Sequence, residues 1–200
     1  MRFLEDHADS HGVATRLKRQ CANFVCNNHA MENLKDSKPR GHRQGVGIVL
    51  SSKAGEVLVA RRNDMENQWQ FPQGGIDGGE TPVEAMYREM QEELGIGKSH
   101  VSILAVTNKP MRYNFVESIV DADGLTRKYL GQELLFFLVE FLGCDGMIDV
   151  KGVEEPEFDC WSWVDYWKPV ELIVDFKRAA YQQALSELEP FMNRKGTVIA

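Results

Sequence analysis

From Gly45 to Arg62 the apolar positions fall in two short runs, "GVGIVL" and "EVLVARR", separated by the polar turn "SSKAG". That spacing predicts a β-hairpin. "WQFPQGG" predicts a short strand running into a glycine-rich loop, and "HVSILAVT", "ELLFFLVEFL" and "FDCWSWVDY" predict further strands. Two segments follow a helical period instead. In "TPVEAMYREMQEELG", Val83, Met86, Tyr87, Met90 and Leu94 fall on one side and are expected to face the core. Thr81 suits the N-cap, Pro82 the first helical position, Glu84 the second half of a capping box, and Gly95 the stop. From about Pro169 to Met192, Leu172, Ile173, Phe176, Ala180 and Leu185 recur on spaced turns and predict one long amphipathic helix. A run of strands with one helix inserted and another at the end implies a mixed sheet between helices.

The inserted helix breaks a rule. Glu89, Glu92 and Glu93 crowd its C-terminal end, where the unpaired carbonyls already carry partial negative charge. Like charges three or four residues apart add to the cost. The three acids lie within about 100° of arc, on a strip expected to be exposed. A solvated charged face would need compensating cations, and only Arg88 is close in sequence. A divalent cation explains the cluster better, because grouped hard oxygen ligands suit magnesium or manganese. The preceding "GGIDGG" brings four glycines, which allow backbone to approach a phosphate or a metal closely.

Composition narrows the partners. The 200 residues suit one domain plus a tail. Residues 1–42 are polar and aperiodic and are read as an N-terminal extension, with Met31 a candidate alternative start; 43–192 form the working domain, and 193–200 a C-terminal tail. A net charge of −7 makes a poor non-specific binder of nucleic-acid backbone, so DNA is not an expected partner. No apolar run reaches the ~18 residues of a membrane span. The N-terminus lacks the apolar core of a secretion signal, and Glu5, Asp6 and Asp9 oppose a transit peptide, so a cytoplasmic location is expected. Cys21, Cys26, Cys144 and Cys160 form no C-x-x-C pair; Cys21 and Cys26 near His29 have the wrong spacing for a zinc knuckle, and all four are read as free thiols.

Loop and helix together make a fixed pattern: Gly74, five residues, Glu80, seven residues, then "REMQEELGI". This resembles the signature of the Nudix hydrolases, with every defined position filled from Gly74 to Ile96. The resemblance implies an α/β/α sandwich around a mixed β-sheet, hydrolysis of a nucleoside diphosphate linked to another group, and Mg²⁺ or Mn²⁺ as cofactor, with more than one ion when substrate is bound. "WQFPQGGI", "AMYRE", "PEFDCWSWVDYW" and "VDFKR" extend the likeness to the bacterial RNA pyrophosphohydrolases and the related dinucleoside polyphosphate hydrolases, over about residues 43 to 188.

By motif, the resemblance makes Glu89, Glu92, Glu93 and Gly74 metal-binding residues, with Arg88 as a brace. Glu157 in "PEFD" resembles an additional metal ligand or general base, so Glu92, Glu93 and Glu157 are the candidate catalytic groups. Arg43 and Arg62 resemble phosphate-binding arginines, and Phe176 with Lys177 a base-stacking aromatic and its basic neighbour. Tyr113, seventeen residues past the box, is placed as in dinucleoside polyphosphate hydrolases. "NDMENQ", between Arg62 and Trp69, is about one residue longer than the matching loop of the RNA enzymes.

The implied activity is removal of pyrophosphate or phosphate from triphosphorylated or diphosphorylated RNA 5′ ends, leaving a 5′-monophosphate that marks transcripts for decay. The alternative is hydrolysis of diadenosine tetra- or pentaphosphate. A third reading, an inactive nucleotide-binding Nudix module, is opposed by the intact "REMQEE" with Glu157. Protein partners, the preferred first base and the choice of general base stay open.

Overall fold

The computed structural model describes residues 41–116 and 129–192. The chain before Gly41, with Cys21, Cys26, His29 and Met31, lies outside the described residues, as does the tail from 193 to 200.

Two long apolar strands form the middle of the sheet. β1 (His42–Ser51) and β7 (Gly131–Phe141) run parallel, in register from His42 opposite Gly131 to Ser51 opposite Glu140. Val46, Ile48, Val49 and Leu50 of β1 and Leu134 to Val139 of β7 are buried. Such continuous burial is what a strand covered on both faces requires. The remaining pairings are antiparallel. β2 (Val57–Arg62) pairs with β3 (Trp69–Gln70) and with β8 (Phe158–Val164), β4 (Gln73–Gly75) pairs with β1, and β5 (Val101–Val106) and β6 (Met111–Asn114) pair with β7. The described sheet is therefore mixed, as expected.

Helix α1 (Pro82–Leu94) packs on β1 and β4. Its start follows the sequence signals: Thr81 N–H donates to Glu84 Oε2 at 2.8 Å, and Glu84 N–H donates to Thr81 Oγ1 at 3.3 Å. Gly95 ends it in the left-handed region at φ 69°, where a side chain would be strained. Ala85, Met86, Met90 and Leu94 are buried, while Val83 and Tyr87 are half-buried.

The C-terminal segment departs from the single long helix predicted for it. A short helix α2 (Pro169–Leu172) stops at Ile173, whose ψ of 150° is extended, and α3 (Asp175–Met192) begins anew. The β-branched pair Ile173–Val174 favours extended backbone, and the break lets Ile173 enter the core at 3% exposure. α3 lies on the sheet face opposite α1. Ala180, Tyr181, Ala184, Leu185 and Leu188 join Val49, Val59, Phe136 and Leu138 in one apolar cluster. Tyr181 stacks on Phe71 with ring centroids 4.9 Å apart. Ile48, Leu50, Phe137 and Val139 alternate with the residues of that cluster and point to the α1 side. Helices thus cover both faces, the α/β/α sandwich implied by the resemblance.

Candidate active site

The end of α1 faces the edge formed by β4, and two glycines make that approach possible. A Cβ on Gly74 would overlap the Glu89 carboxylate, and one on Gly75 would overlap the Arg43 guanidinium. With no side chains in the way, Glu89 and Glu93 sink to 8% and 3% exposure, while Glu92 stays exposed. The three acids therefore do not share an exposed strip, which corrects the sequence expectation. The helix period gives their angular grouping correctly, but β4 covers two of them.

Burial changes their chemistry. Glu93 is pushed well above the usual carboxylate range by loss of water, then by the charges of Glu157 and Glu89. Glu89 is raised by burial, against the pull of the Arg88 guanidinium. Glu93 Oε2 accepts the Gln73 backbone N–H at 2.8 Å, and Glu93 Oε1 is buried with no hydrogen-bond partner among the described residues.

Arg88 is the brace. Its Nη1 donates to Glu89 Oε1 and to Glu92 Oε2, both at 2.8 Å. Nε and Nη2 donate to the Glu80 carboxylate at 2.9 and 3.0 Å, and Nη2 also to the Gly75 carbonyl at 2.7 Å. One guanidinium thus ties the glycine-rich loop to the acidic turn. It makes no bond to Glu93.

A cavity of about 350 Å³ is lined by Glu89, Glu92, Glu93, Glu154, Glu155 and Glu157. Among the described residues no three acidic, histidine or cysteine side chains already converge closely enough to hold an ion. The donor set nonetheless fits a divalent cation. Every side chain on the wall offers hard oxygen, and the buried Glu93 Oε1 lacks the partner that a buried polar atom requires.

A second cavity, of about 400 Å³, shares Glu89, Glu92 and Glu157 with the first and adds Gly74, Arg43, Arg62, Phe176 and Lys177. Lys177 is 9% exposed, and its Nζ donates to Gln70 Oε1 at 3.0 Å. Burial, followed by repulsion from Arg62, pulls its ammonium down to about 7. Arg62 donates from Nε and Nη2 to the two oxygens of Asp64, both at 2.6 Å, and its Nη1 lies 3.6 Å from Glu157 Oε2.

Tyr113 is the candidate that the structure sets apart. It is 5% exposed, and its hydroxyl donates to Gln132. Its ring lies 5.8 Å from Phe176 and 5.4 Å from the Lys177 ammonium, behind residues that line the cavity. Strand β6 alternates buried and exposed positions, and Tyr113 occupies a buried one. Tyr113, expected to meet substrate, thus lies behind the cavity wall in this structure.

Several residues at or beside the site escape the sequence reading. Glu154 and Glu155 stand just before "PEFD", and their charge run was the available signal. Gln73 acts through its backbone and Asp64 through a loop contact, neither of which leaves a periodic trace.

The NUDIX domain sequence model matches residues 41–184. An RNA pyrophosphohydrolase of Halorhodospira halophila (strain DSM 244 / SL1) is 43% identical over 152 residues, covering 76% of this chain and 82% of that protein. Among solved structures, a C. elegans Ap4A hydrolase aligns at TM-score 0.52 and 20% identity, over 76% of this chain and 98% of the other. An E. coli dihydroneopterin triphosphate pyrophosphohydrolase aligns at TM-score 0.52 and 17% identity, over 74% and 99%. At these identities the structural likeness is one of fold.

Proposed function

The chain belongs to the NUDIX domain family, and we propose that it removes pyrophosphate or phosphate from the 5′ end of triphosphorylated or diphosphorylated RNA, leaving a 5′-monophosphate. The relative from H. halophila supports this choice of substrate. The observation that carries it is the shared wall of Glu89, Glu92 and Glu157, which joins the acidic cavity to one lined by Arg43, Arg62, Phe176 and Lys177.

Nudix hydrolases use divalent metal ions; here Glu89, Glu92, Glu93 and Glu157, beside Gly74, would hold Mg²⁺ or Mn²⁺, more than one with substrate bound. Such ions neutralise charge that develops on a transferred or leaving phosphate. Arg43 and Arg62 grip the polyphosphate through charge-assisted hydrogen bonds. Phe176 offers its ring to the first base, a contact worth about 1–3 kcal/mol in such platforms. Lys177, held down to about 7, gains its proton as anionic phosphate arrives beside it. Glu92, Glu93 and Glu157 are the candidates to take the proton of the attacking water.

No helix among the described residues is long and apolar enough to cross a membrane. We place the reaction in the cytoplasm, where the monophosphate product would commit a transcript to decay.

Direct competition between triphosphate-ended RNA and diadenosine tetraphosphate, with Mg²⁺ or Mn²⁺, tests the assignment. The RNA is expected to show the higher kcat/KM. A preference for the dinucleotide of about tenfold, or about 1.4 kcal/mol, would move the assignment to dinucleoside polyphosphates. No turnover of either class would leave a nucleotide-binding module.

A further inference from the structure

Arg62 reaches the phosphate cavity with its guanidinium fork already filled. Asp64 accepts from both Nε and Nη2 at 2.6 Å, and Glu157 approaches the third nitrogen at 3.6 Å. This is the two-pronged geometry by which a guanidinium grips a phosphate. A phosphate that takes this Nε–Nη2 edge needs the same two N–H groups as Asp64. The Arg62 hydrogen bonds also hold Asp64 below the usual carboxylate range, so the competitor stays charged.

The surroundings fix this pairing in place. Asp64 belongs to the loop of residues 63–68 between β2 and β3, which closes with Arg62 N–H donating to the Gln68 carbonyl at 2.8 Å. Asn67 takes the left-handed turn at φ 57°, a conformation that asparagine tolerates. Asn63 sews the loop to the Glu157 segment: its N–H donates to the Glu157 carbonyl at 3.0 Å, and its side chain donates to the Pro156 carbonyl. Arg62 thus stands between two carboxylates carried by two segments that are bonded to each other.

We propose that Asp64 is an internal carboxylate that competes with phosphate for Arg62. This rests on the assignment of Arg62 to phosphate in the reading above. A polyphosphate that takes the Nε–Nη2 edge must displace Asp64, which weakens its binding. When pyrophosphate leaves, Asp64 reclaims the guanidinium and opposes rebinding of the product. A purely structural role predicts the opposite sign: without Asp64 the arginine would be less well placed, and phosphate would bind more weakly.

Calorimetric titration of magnesium pyrophosphate into the full chain separates these outcomes. Asp64→Asn is expected to bind pyrophosphate about fivefold more tightly than the parent, the upper range for a partly exposed ion pair. Asp64→Glu is expected to behave like the parent. Arg62→Gln should bind weakly, and Asp64→Asn added to it should bring no further gain. In turnover, Asp64→Asn should lower KM and strengthen inhibition by pyrophosphate. Unchanged or weaker pyrophosphate binding by Asp64→Asn would overturn the proposal, as would a parent that binds no pyrophosphate. If the parent fails to hydrolyse RNA ends while Asp64→Asn still binds more tightly, the RNA assignment falls and the role of Asp64 stands. The reverse pattern removes Asp64 alone.

Discussion

The backbone N–H of Gln73 donates to one oxygen of Glu93 at 2.8 Å, and the other oxygen is buried without a partner among the described residues. Gln73 is itself held from the core: its amide donates to the Tyr113 hydroxyl at 3.4 Å and to Gln132 at 3.3 Å, and the Tyr181 hydroxyl donates back to it at 3.4 Å. The core under α3 therefore fixes β4, and β4 fixes the orientation of Glu93. An unsatisfied buried polar atom costs about 1–3 kcal/mol, so the cation-free protein carries a destabilised site.

Glu93→Gln keeps the shape and removes the charge. Turnover is expected to fall on the order of 10²-fold or more, the scale of lost electrostatic stabilisation at such a site. The cation-free variant should melt no lower than the parent, because repulsion with Glu89 and Glu157 is relieved. Steady-state kinetics at saturating Mg²⁺ beside a thermal melt in chelator checks both; near-normal turnover would remove Glu93 from the set of metal ligands.

The pH dependence of cation-free stability should have two limbs. Glu93 binds its proton more tightly folded than unfolded, so its contribution is full below its ordinary 4.5 and is lost as pH rises towards the folded value. Lys177 is shifted the other way, and stability should recover as pH rises from about 7 towards 10.5. Glu93→Gln should flatten the first limb and Lys177→Met the second. Added Mg²⁺ should also suppress the first, since a bound cation keeps Glu93 ionised. Chemical denaturation across the pH range is the measurement.

Arg88→Lys should damage the site without touching substrate. An ammonium cannot reproduce the fork that spans Glu80, Glu89, Glu92 and the Gly75 carbonyl. A stability loss of about 1–2 kcal/mol is expected. The half-saturating Mg²⁺ concentration should rise, with a smaller change in RNA KM. A variant whose Mg²⁺ dependence matches the parent would show that the brace is dispensable.

Phe176→Ala and Tyr113→Phe should act differently. Phe176 lines the cavity, so its truncation should cost RNA turnover about 1–3 kcal/mol through lost stacking. Tyr113→Phe leaves the ring in place and removes the hydroxyl from the Gln73 and Gln132 network. It should lower kcat for RNA and for diadenosine tetraphosphate alike. A loss confined to the dinucleotide would instead put Tyr113 in contact with an adenine.

A chain that starts at Met31 is expected to keep full hydrolytic activity, since every recognised motif follows Arg43. Activity and solubility of the shortened protein test that boundary; loss of either would make residues 1–30 part of the working domain.

Helix α1 was legible because its signals are local. Thr81, Pro82, Glu84 and Gly95 each act on backbone within a turn, and all four act as read. The acids were legible as a violation of helix electrostatics, but their burial was not, because it depends on where Gly74 and Gly75 of a neighbouring strand are set. The interruption at Ile173 escaped because its apolar residues fit a helical period as well as a break. The inward side of Tyr113 was not legible, because a count of residues from the box ignores the alternation of β6. The Asp64–Arg62 pair lies in a loop, where partner choice depends on a closure that periodicity does not encode.

The parallel pairing of β1 with β7 has a consequence for synthesis. Across it Gln44 bonds to Glu133, 89 residues further along. Closing so long a segment precedes any return in contacts, whereas the turns of α1 need only their neighbours. On the ribosome the acidic helix is complete long before β7, Glu157 or Phe176 has emerged, and until then no cavity exists for a polyphosphate to enter. A nascent chain released early would carry the acidic box yet be inert as a hydrolase. The site thus becomes competent only once the chain has been made as far as Phe176.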